Sequence, residues 1–421
     1  MTVNGTQTRR EPARDLLMVG VGRMGRPYVA AARRLGVNVR GVEFGARAEA
    51  AAELLGGVHR ARGGFDEPLV EAALGAAAEQ PPDAVVAFSE EHVMGAALLQ
   101  DALGLPGPSL HASVLSRNKS LQRACFAAHR LRQPDFMVTE RLGDAEAWAA
   151  SRFPVVVKPL SLSGSRGVEL VADRVAYREV AERRAHERPL IVETAVRGPE
   201  YSWEGLVEDG RIWFGNITAK ETTGPPHFVE VAHRAAADLE DDVAAQVHRL
   251  AAGVIGALRF RTGLMHLEFR IAEDGPTIME VAVRTPGDFI MEILGLSYDI
   301  DWFEIVLRLA FGLPLAEPPA GPVRYAASYL LAAPAGRVTA VDGLAEARAH
   351  RNVVQAEVKV TAGDIVASTT SSVDRVGSAI VAANTRAELE DAMAFVRRTL
   401  RVRTAPLSPN GHPPARTMVT R

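Results

Sequence analysis

The sequence has almost no cysteine, since Cys125 is the only one among 421 residues. A single thiol excludes an internal disulfide, and it is typical of a protein that works in a reducing cytosol. The first 15 residues are polar and lack the apolar centre of a signal peptide. These absences together predict a cytoplasmic protein.

The sequence also lacks long apolar runs and a large excess of either charge. No apolar run approaches the roughly 20 residues that a membrane-spanning helix requires. Lysine and arginine together number 48, against 51 aspartates and glutamates, which gives a net charge of −3. That balance argues against a broad basic surface for nucleic acid. We therefore expect partners that are neither membranes nor nucleic acids.

Residues 153–167, FPVVVKPLSLSGSRG, join a short apolar strand to a lysine and a loop of glycines and serines. The β-branched run predicts a buried strand that ends at Lys158. Glycines in such a loop let backbone N–H groups approach anionic oxygens, and serine hydroxyls donate further hydrogen bonds. The pattern predicts a polyphosphate site, although it lacks the Gly-Lys-Ser/Thr of a Walker motif. The alternative is a hairpin with a glycine-rich turn and a surface lysine.

A glycine-rich fingerprint lies near the amino terminus. An apolar strand at residues 16–19 precedes Gly20-x-Gly22-x-x-Gly25, a helical pattern follows, and a second strand ends at Glu43. This arrangement is typical of β-α-β units that bind dinucleotides. It predicts a small open α/β domain and allows an NAD-dependent oxidoreductase as one function. The glycines could instead only allow the helix to pack tightly on the strand.

A second informative segment is a predicted hairpin with two acids. Residues 264–270 and 277–281 alternate apolar and polar side chains around the turn sequence at 273–276. This hairpin places Glu268 almost opposite Glu280, about 5 Å apart, where like charges repel unless a cation lies between them. Carboxylate oxygens favour Mg²⁺ or Mn²⁺ over zinc. We therefore predict a metal site, with a protonated or solvated acid pair as the alternative.

Two stretches between these motifs carry further polar residues. Lys119 follows Asn118 at the start of a predicted helix, where a solvated lysine is the default interpretation. A predicted buried strand runs out through Glu193 into a Gly-Pro turn, and Glu200 then begins a hairpin. The backbone from Glu193 to Val196 could bind an adenine. The alternative is a pair of surface glutamates that flank a turn.

The segment 220–233 predicts a loop that contains Glu230 and His233. Histidines in a polar loop suggest a lid or a substrate contact, since the whole chain has only 11 of them. Glu-x-x-His could also be a metal pair, but the zinc protease motif His-Glu-x-x-His is absent. Arg284 lies four residues beyond Glu280, and an arginine beside a metal and a phosphate loop can stabilise developing charge.

The remaining elements are predicted from periodicity alone. Residues 241–258 form an amphipathic helix whose apolar face belongs to the core. Beyond residue 323 the composition predicts a smaller α+β unit with strands at 325–332 and 353–366 and a closing helix at 385–400. Little catalytic chemistry is visible in this last unit.

In this order the motifs resemble the ATP-grasp superfamily over residues 16–400, nearly the whole chain. The run Glu-x-x-x-Arg-x-x-Gly-Asp from Glu280 to Asp288 is similar to the L-amino acid ligase branch of carboxylate–amine ligases, as represented by bacilysin-synthetase-like enzymes. That branch also carries Glu-x-x-His near the substrate. Ala282 stands where many relatives have Asn, which argues against D-alanine–D-alanine ligases and biotin carboxylases.

The resemblance implies an ATP-grasp fold of mixed α/β and α+β class. The implied domains are a Rossmann-like domain at 1–112, an ATP-grasp domain at 113–320, a small C-terminal α+β domain at 321–402 and a flexible tail at 403–421. Within the ATP-grasp domain it implies a lid or small subdomain at 113–190 and a large subdomain at 191–320.

The resemblance also implies the site. The metal, Mg²⁺ or Mn²⁺, would be held by Glu268 and Glu280. The implied ATP-binding residues are Lys119, Lys158, Ser163, Gly164, Ser165, Gly167, Glu193, Thr194, Val196, Glu200 and Met279. In this set, residues 193–196 would meet the adenine, Glu200 the ribose hydroxyls, and Met279 would pack on the adenine ring. The implied substrate-binding residues are Glu230, His233, Arg284 and Gly287, and the implied catalytic residues are Arg284, Lys158 and His233.

The implied function is an ATP-dependent ligase that joins a small carboxylic acid to an amine. The amide or peptide bond would form through an acyl-phosphate, with release of ADP and phosphate, between small amino acids or similar compounds in a specialised biosynthetic pathway. A homodimer is compatible with this family. Two other classes stay open at this point, an NAD(P)-dependent oxidoreductase and a non-catalytic nucleotide-binding regulator.

Overall fold

A computed structural model describes residues 14–22, 24–55, 57–63 and 66–407. These residues form two compact units. The front unit contains the described residues up to Gly107 together with Phe303–Leu315, and the main unit contains Pro108–Trp302 and the described residues from Ala316 onwards. Across these ranges no helix has the length and apolar character that crossing a membrane would need.

Nineteen strands occur among the described residues. They are β1 Asp15–Val19, β2 Asn38–Phe44, β3 Gly57–Ala61, β4 Ala84–Val86, β5 Phe136–Thr139, β6 Val155–Pro159, β7 Glu169–Val171, β8 Leu190–Thr194, β9 Glu200–Glu208, β10 Arg211–Thr222, β11 Glu230–Arg234, β12 Gly263–Ala272, β13 Gly275–Ala282, β14 Tyr325–Leu331, β15 Gly336–Asp342, β16 Val353–Val358, β17 Ile365–Val366, β18 Gly377–Ala383 and β19 Arg401–Ala405.

The same ranges contain thirteen α-helices. They are α1 Gly25–Arg34, α2 Gly45–Leu54, α3 Asp66–Glu79, α4 Val93–Leu103, α5 Leu110–Ser116, α6 Lys119–Ala128, α7 Glu146–Ala149, α8 Arg174–Arg183, α9 Asp241–Leu258, α10 Ile290–Tyr298, α11 Trp302–Ala310, α12 Leu344–Ala349 and α13 Arg386–Thr399. Short 3₁₀ turns lie at Leu142–Ala145 and Ser372–Asp374.

The front unit is built on a parallel sheet with strand order β3-β2-β1-β4. The apolar run of β1 is buried on both faces, as is usual in parallel sheets. Leu16 and Met18 pack into one core with α1, whereas Leu17 and Val19 point to the opposite face and pack with α3 and α4. This arrangement confirms the open α/β domain that the sequence predicts at the amino terminus.

The main unit contains three sheets. The small sheet has strand order β5-β8-β6-β7. The large eight-stranded sheet has order β13-β12-β9-β10-β11-β14-β18-β16, and a third sheet has order β17-β15-β19. The predicted helix at 241–258 is confirmed as α9, which buries Val247 and Val254 in one core with Leu267 and Ile278 of the β12–β13 hairpin. The core therefore fixes the hairpin that carries the two acids.

The prediction of a loop at 220–233 is wrong over half of its length. β10 continues to Thr222, and β11 begins at Glu230, so only residues 223–229 connect them. β11 lies inside the large sheet, where it pairs with β10 and β14. The proline pair at 225–226 marks the turn, but pairing to β14, which is distant in sequence, makes the following residues a strand.

The carboxy-terminal part is richer in strands than the sequence predicts. The single strand expected at 353–366 is two strands, β16 and β17, which belong to different sheets. The closing helix is confirmed as α13, and β15, β18 and β19 were not predicted. β19 crosses residue 403, the predicted start of the tail, and residues 408–421 lie outside the described residues.

The domain division drawn from the sequence stays a prediction. Two observations bear on its boundaries. β8 pairs between β5 and β6, so the small sheet extends past residue 190. Phe303–Leu315 groups with the front unit, although the predicted ATP-grasp domain includes this segment.

Candidate active site

The β12–β13 hairpin brings Glu268 and Glu280 together, as the sequence predicts. The two residues are direct partners in the antiparallel register. Each carboxylate is paired with a separate lysine: Nζ of Lys220 lies 2.7 Å from Glu268, and Nζ of Lys119 lies 3.1 Å from Glu280. The two lysines therefore neutralise part of the carboxylate charge, which the sequence analysis expected a metal ion to neutralise.

The two acids still fit a metal that arrives with a nucleotide. Their side chains remain 25% and 30% exposed, and they offer hard oxygen donors on neighbouring strands. Mg²⁺ is usually held by one or two carboxylates together with phosphate oxygens and water. Among the described ranges there is no group of three or more His, Cys, Asp or Glu side chains suited to a metal ion. The donor set thus suits a cation shared with phosphates better than a resident one.

Lys220 on β10 is a central residue that sequence reasoning missed. Its side chain is only 1% exposed, and Nζ lies within 3.4 Å of three carboxylates, those of Glu200, Glu230 and Glu268. Burial alone would lower the pKa of Lys220, but these carboxylates raise it well above its usual value. Glu200 and Lys220 are direct partners across the β9–β10 hairpin. The sequence predicts the second strand of this hairpin only at residues 211–217, so the lysine lies three residues beyond the predicted end of its strand.

A charged histidine supports Glu268 from the same strand. His266 donates towards Glu204 at 3.0 Å and Glu268 at 3.3 Å. Burial lowers the pKa of His266, but the hydrogen bonds and charges of the two glutamates outweigh it and raise the pKa to about 9. Glu204 also accepts hydrogen bonds from Thr218 and Asn216. These hydrogen bonds hold His266 against Glu268, and the sequence did not predict them.

Lys158 and Glu193 form a buried ion pair in the small sheet. Nζ of Lys158 lies 2.6 Å from Glu193, and Arg123 donates to the same carboxylate at 2.8 Å. Burial raises the pKa of Glu193, but the two cations prevail and hold it at about 2. Arg123 also donates to the carbonyl of Met279 at 2.6 Å. Because Arg123 is four residues from Lys119 and shares its helix face, spacing alone could have identified it.

At the end of β8, backbone groups that could bind an adenine already have hydrogen-bond partners within the chain. The amide of Thr194 donates to the carbonyl of Asp135, and that of Ala195 donates to the carbonyl of Pro154. The carbonyl of Val196 accepts from Arg270 at 2.9 Å. An adenine bound here would have to use other groups, such as the Val196 N–H. The adenine contacts of Glu193, Thr194, Val196 and Met279 remain predictions.

Glu200 lies between two cations. Lys220 approaches one of its oxygens at 3.1 Å, and Arg270 donates to the other at 2.9 Å. The guanidinium of Arg270 also stacks over the ring of Phe228, 4.8 Å from its centroid. A ribose that bound to Glu200 would therefore compete with these donors, and the predicted ribose contact stays a prediction.

The glycine and serine loop adopts left-handed backbone conformations at three positions. Gly164, Ser165 and Gly167 adopt positive φ values of 67°, 56° and 69°, a region that favours glycine. Asn118 caps helix α6 by accepting from two of its first amides. That helix start places Lys119 next to the loop, where its Nζ donates to the carbonyl of Leu162 at 2.8 Å. The phosphate-binding role of Ser163 and its neighbours stays a prediction.

His233, one of the predicted substrate residues, contacts Asp288, to which the sequence analysis assigned no role. Nε2 of His233 lies 3.4 Å from Asp288, and Arg375 grips both oxygens of that carboxylate at 2.8 and 2.5 Å. Burial raises the pKa of Asp288, but the hydrogen bonds from His233 and Arg375 hold it well below its usual range. Asp288 and Phe289 both have positive φ, 61° and 64°, which is strained for residues with side chains.

The other predicted substrate residues lie on the elements beside Asp288. Glu230 accepts from Lys220 and from Ser372, and the half-buried Arg284 donates to the carbonyl of Thr285 at 2.8 Å. Gly287 is exposed and precedes Asp288 in the same loop. His233 thus contacts Asp288 directly and Glu230 is linked to it through Arg375, whereas Arg284 contacts its own neighbour. The substrate roles of Glu230, His233, Arg284 and Gly287 stay predictions.

In the front unit, backbone amides of the glycine-rich fingerprint donate hydrogen bonds to the acid that ends the second strand. Glu43 accepts from the amides of Val21 at 2.8 Å and Gly22 at 3.3 Å. A Cβ added to Gly20, whose φ is +78°, would lie 1.9 Å from the ring of His92. The acid that would bind a ribose in a dinucleotide site is thus used to hold the loop.

Two family models match the chain. A model of the ATP-grasp domain matches residues 151–292, and a model of the L-amino acid ligase C-terminal domain 2 matches residues 328–405. The crystal structure of an L-amino acid ligase from Bacillus licheniformis shares the fold, with a TM-score of 0.79 over 94% of this chain and 100% of that chain at 23% identity. These matches confirm the predicted fold.

The chain matches only part of the length of its curated relatives. Uncharacterized protein y4rH of Sinorhizobium fredii is 29% identical over 297 residues, which cover 68% of this chain and 61% of that protein. Carnosine synthase 1 of Gallus gallus is 27% identical over 354 residues, 77% of this chain and 38% of that enzyme. The chain thus spans less than two thirds of either relative.

Proposed function

We propose that this chain is an ATP-dependent carboxylate–amine ligase, because a model of the ATP-grasp domain matches residues 151–292 and a model of the L-amino acid ligase C-terminal domain 2 matches residues 328–405. The observation that carries this proposal is the opposed acid pair set between two lysines. Glu268 and Glu280 face each other across the hairpin, and Lys220 and Lys119 pair with them. Such a cluster can hold a polyphosphate and its cation next to a bound carboxylate.

The proposed reaction has two steps. An oxygen of the substrate carboxylate attacks the γ-phosphorus of ATP, and the bond from that phosphorus to the β-bridging oxygen breaks, which releases ADP. The amine nitrogen then attacks the acyl carbon of the acyl-phosphate. The bond from carbon to the phosphate oxygen breaks, phosphate leaves, and the nitrogen loses a proton. Phosphorylation is required because a free carboxylate offers oxide as its leaving group.

Each step is assigned to residues of the site. Lys119 and Lys158 position the phosphates together with the Ser163–Gly167 loop, and Arg284 stabilises the oxyanions that develop. When bound with ATP, Mg²⁺ or Mn²⁺ held by Glu268 and Glu280 would neutralise phosphate charge. Lys220 would balance the charge of Glu268 beside the phosphates, since its Nζ lies 2.7 Å from that carboxylate.

Glu230 and His233 are assigned to the amine side of the reaction. Glu230 orients the amine and accepts its proton, and His233 holds an oxygen of the tetrahedral intermediate. Both lie on β11 with their side chains directed to one site, since Glu230 contacts Lys220 and His233 contacts Asp288. We propose that the acid and the amine are small amino acids or similar compounds, so that the product is a dipeptide or an amide of a specialised pathway such as antibiotic biosynthesis.

A coupled assay of ADP release tests the proposal. Pairs of amino acids and small carboxylic acids are mixed with ATP and Mg²⁺, and each acid and each amine is also tested alone. The ligase predicts ADP release that depends on both substrates, with an equal amount of amide by mass spectrometry. A nucleotide-binding regulator would instead bind ATP tightly with no ADP release from any mixture.

A control variant separates the site from a contaminating ATPase. Glu280→Gln should remove the ADP release, whereas Glu357→Gln, which changes a carboxylate of β16, should retain it. Homodimer assembly and a cytoplasmic location accompany the proposal as predictions, and light scattering and cell fractionation would test them. The single cysteine supports the second of these.

A further inference from the structure

The carboxy-terminal part of the main unit sends one tight turn, residues 371–375, into the proposed site. Asp374 builds the turn by accepting from the amides of Thr370 and Ser371 and from the hydroxyl of Ser371. This capping box gives the turn a defined backbone. The 371–375 turn therefore presents its side chains from a fixed frame.

Arg375 uses all three of its guanidinium nitrogens to join this turn to two other elements. Nε donates to the carbonyl of Ser372 at 2.8 Å, Nη1 donates to the carbonyl of Glu230 at 3.1 Å, and Nη1 and Nη2 grip the carboxylate of Asp288. The side chain is 9% exposed, so solvent screens these contacts little. Planar donors in a fork suit this geometry, and a lysine would not reproduce it.

Ser372 adds contacts to the same neighbours. Its hydroxyl donates to a carboxylate oxygen of Glu230 at 3.1 Å, and its amide donates to the carbonyl of Gly164 in the phosphate loop at 3.1 Å. The turn thus meets β11, the loop after β13 and the phosphate loop. In sequence, Arg375 is 87 residues from Asp288, and Ser372 is 142 residues from Glu230.

The conformation at Asp288 needs this support. Asp288 and Phe289 are consecutive residues with side chains, and both have left-handed backbone angles. Such angles persist only where surrounding contacts over-determine them. Arg375 provides such a contact, because it donates to both carboxylate oxygens of Asp288, and the same carboxylate contacts His233.

We propose that Arg375 is a positioning residue for the amine-attack step, acting through Asp288 and the backbone of Glu230 on His233 and Glu230. This inference rests on the proposed ligase function. Two of the groups that Arg375 contacts, the carboxylate of Asp288 and the backbone of Glu230, adjoin the residues assigned to the amine, and the third is the carbonyl of Ser372 in its own turn. No contact recorded for the described residues links Arg375 to Lys119 or Lys158. Its loss should therefore impair aminolysis more than formation of the acyl-phosphate.

The test compares Arg375→Lys with Arg403→Lys. Arg403 also pairs with both oxygens of an aspartate, Asp342, but it is 66% exposed and lies in the third sheet. Rapid-quench single turnovers measure ADP formed with the acid alone, and steady-state assays measure amide formed with both substrates. We expect Arg375→Lys to lower kcat/KM for the amine by about 10- to 100-fold while acid-dependent ADP formation stays within about twofold. Arg403→Lys should match the wild type in both assays.

Two results would overturn the inference. One is an unchanged kcat/KM for the amine in Arg375→Lys. The other is an equal loss in ADP formation and in amide formation, which would indicate a general structural role. Asp288→Asn serves as a second variant: if Arg375 acts through Asp288, the double variant should be little worse than the poorer single variant.

A readout besides activity separates this inference from the proposed function. If the wild type releases no ADP with any substrate pair, the ligase proposal fails. Hydrogen exchange still tests the positioning role, because Arg375→Lys should speed amide exchange in residues 230–234 and 284–289 by several-fold, while Arg403→Lys should not. Equal exchange in the two variants would refute the contact's positioning role.

Discussion

The ammonium of Lys220 lies 2.7 Å from a carboxylate oxygen of Glu268, and both side chains point into the proposed site. The lysine also contacts Glu200 and Glu230. One buried cation thus contacts three acids that come from three different strands. Removing that cation should affect both the fold and the chemistry.

Lys220→Met is expected to destabilise the main unit and to abolish activity. Removing one partner from a buried ion pair costs about 3–5 kcal/mol because the remaining charges lose their compensation. Thermal unfolding of the variant should shift to clearly lower temperature. Lys359→Met is the matched control, since Lys359 is 52% exposed and its Nζ lies as far as 4.0 Å from the carboxylate of Glu357. Equal melting temperatures for the two variants would contradict the assigned role of Lys220.

Glu268→Gln and Glu280→Gln are each expected to lower ligation by about 10²-fold or more. Each change removes one negative oxygen donor from the predicted cation site while it retains side-chain size. Activity should be measured over a range of Mg²⁺ and Mn²⁺ concentrations, because a weakened site would respond to added metal. Near-normal turnover of either variant at ordinary Mg²⁺ would show that the acid pair does not hold the metal.

The parts of the site that sequence predicts are those formed by local contacts. Glu268 and Glu280 were placed opposite each other because one short turn sets the register of their hairpin. The pairing of Arg375 with Asp288 spans 87 residues, so no spacing rule contains it. Lys220 lies between these cases, since it sits on a predicted hairpin but beyond the predicted end of its strand.

In the fold, too, elements determined by their own residues are predicted, and elements determined by partners distant in sequence are not. The apolar runs of β1 and β6 and the amphipathic helix α9 are evident from their own residues, because a continuous apolar run indicates a buried strand and a helical period indicates a helix with one buried face. β18, GSAIVAA, is fully buried and contains three alanines, which have little strand preference. Its pairing with β14 and β16 makes it a strand, and those partners are separate in sequence.

Stability at acid pH should depend on Glu193. Its pKa is held at about 2 against an ordinary value of 4.5, so its stabilisation is fully present above pH 4.5 and is lost as the pH falls towards 2. The shift corresponds to about 3 kcal/mol at full effect. Urea unfolding of the wild type should weaken over this pH range.

Glu193→Gln supplies the comparison for that pH profile. It should be less stable than the wild type at pH 7, because Lys158 and Arg123 would stay buried without their counter-charge. Its stability should also fall less steeply between pH 4.5 and 2. Parallel pH profiles for the two proteins would show that Glu193 does not control this transition.

The phosphate lysine and the fingerprint glycine should give opposite results in a binding experiment. Lys158→Met is expected to weaken ATP binding, because it removes a fixed charge beside the glycine and serine loop. Gly20→Ala should destabilise the front unit through its positive φ and the close approach of His92, but leave ATP affinity unchanged in the folded fraction. Titration calorimetry with ATP–Mg²⁺ and with NADH measures both. Micromolar NADH binding that Gly20→Ala removes would favour the oxidoreductase alternative.

Arg284→Lys is expected to lose most of kcat and to retain most of the ATP affinity. Arg284 lies in the loop between Glu280 and Asp288, where a planar fork of donors can bridge two oxygens and a lysine cannot. If it acts in the transition state, kcat and kcat/KM for the acid should fall together, by about 10²–10³-fold. If it anchors the ground-state carboxylate instead, the KM of the acid should rise while kcat is preserved. Arg324→Lys, in the exposed segment before β14, is the control. Unchanged kinetics in Arg284→Lys would place this arginine outside the site, and the match of residues 280–288 to the ligase motif would then be wrong.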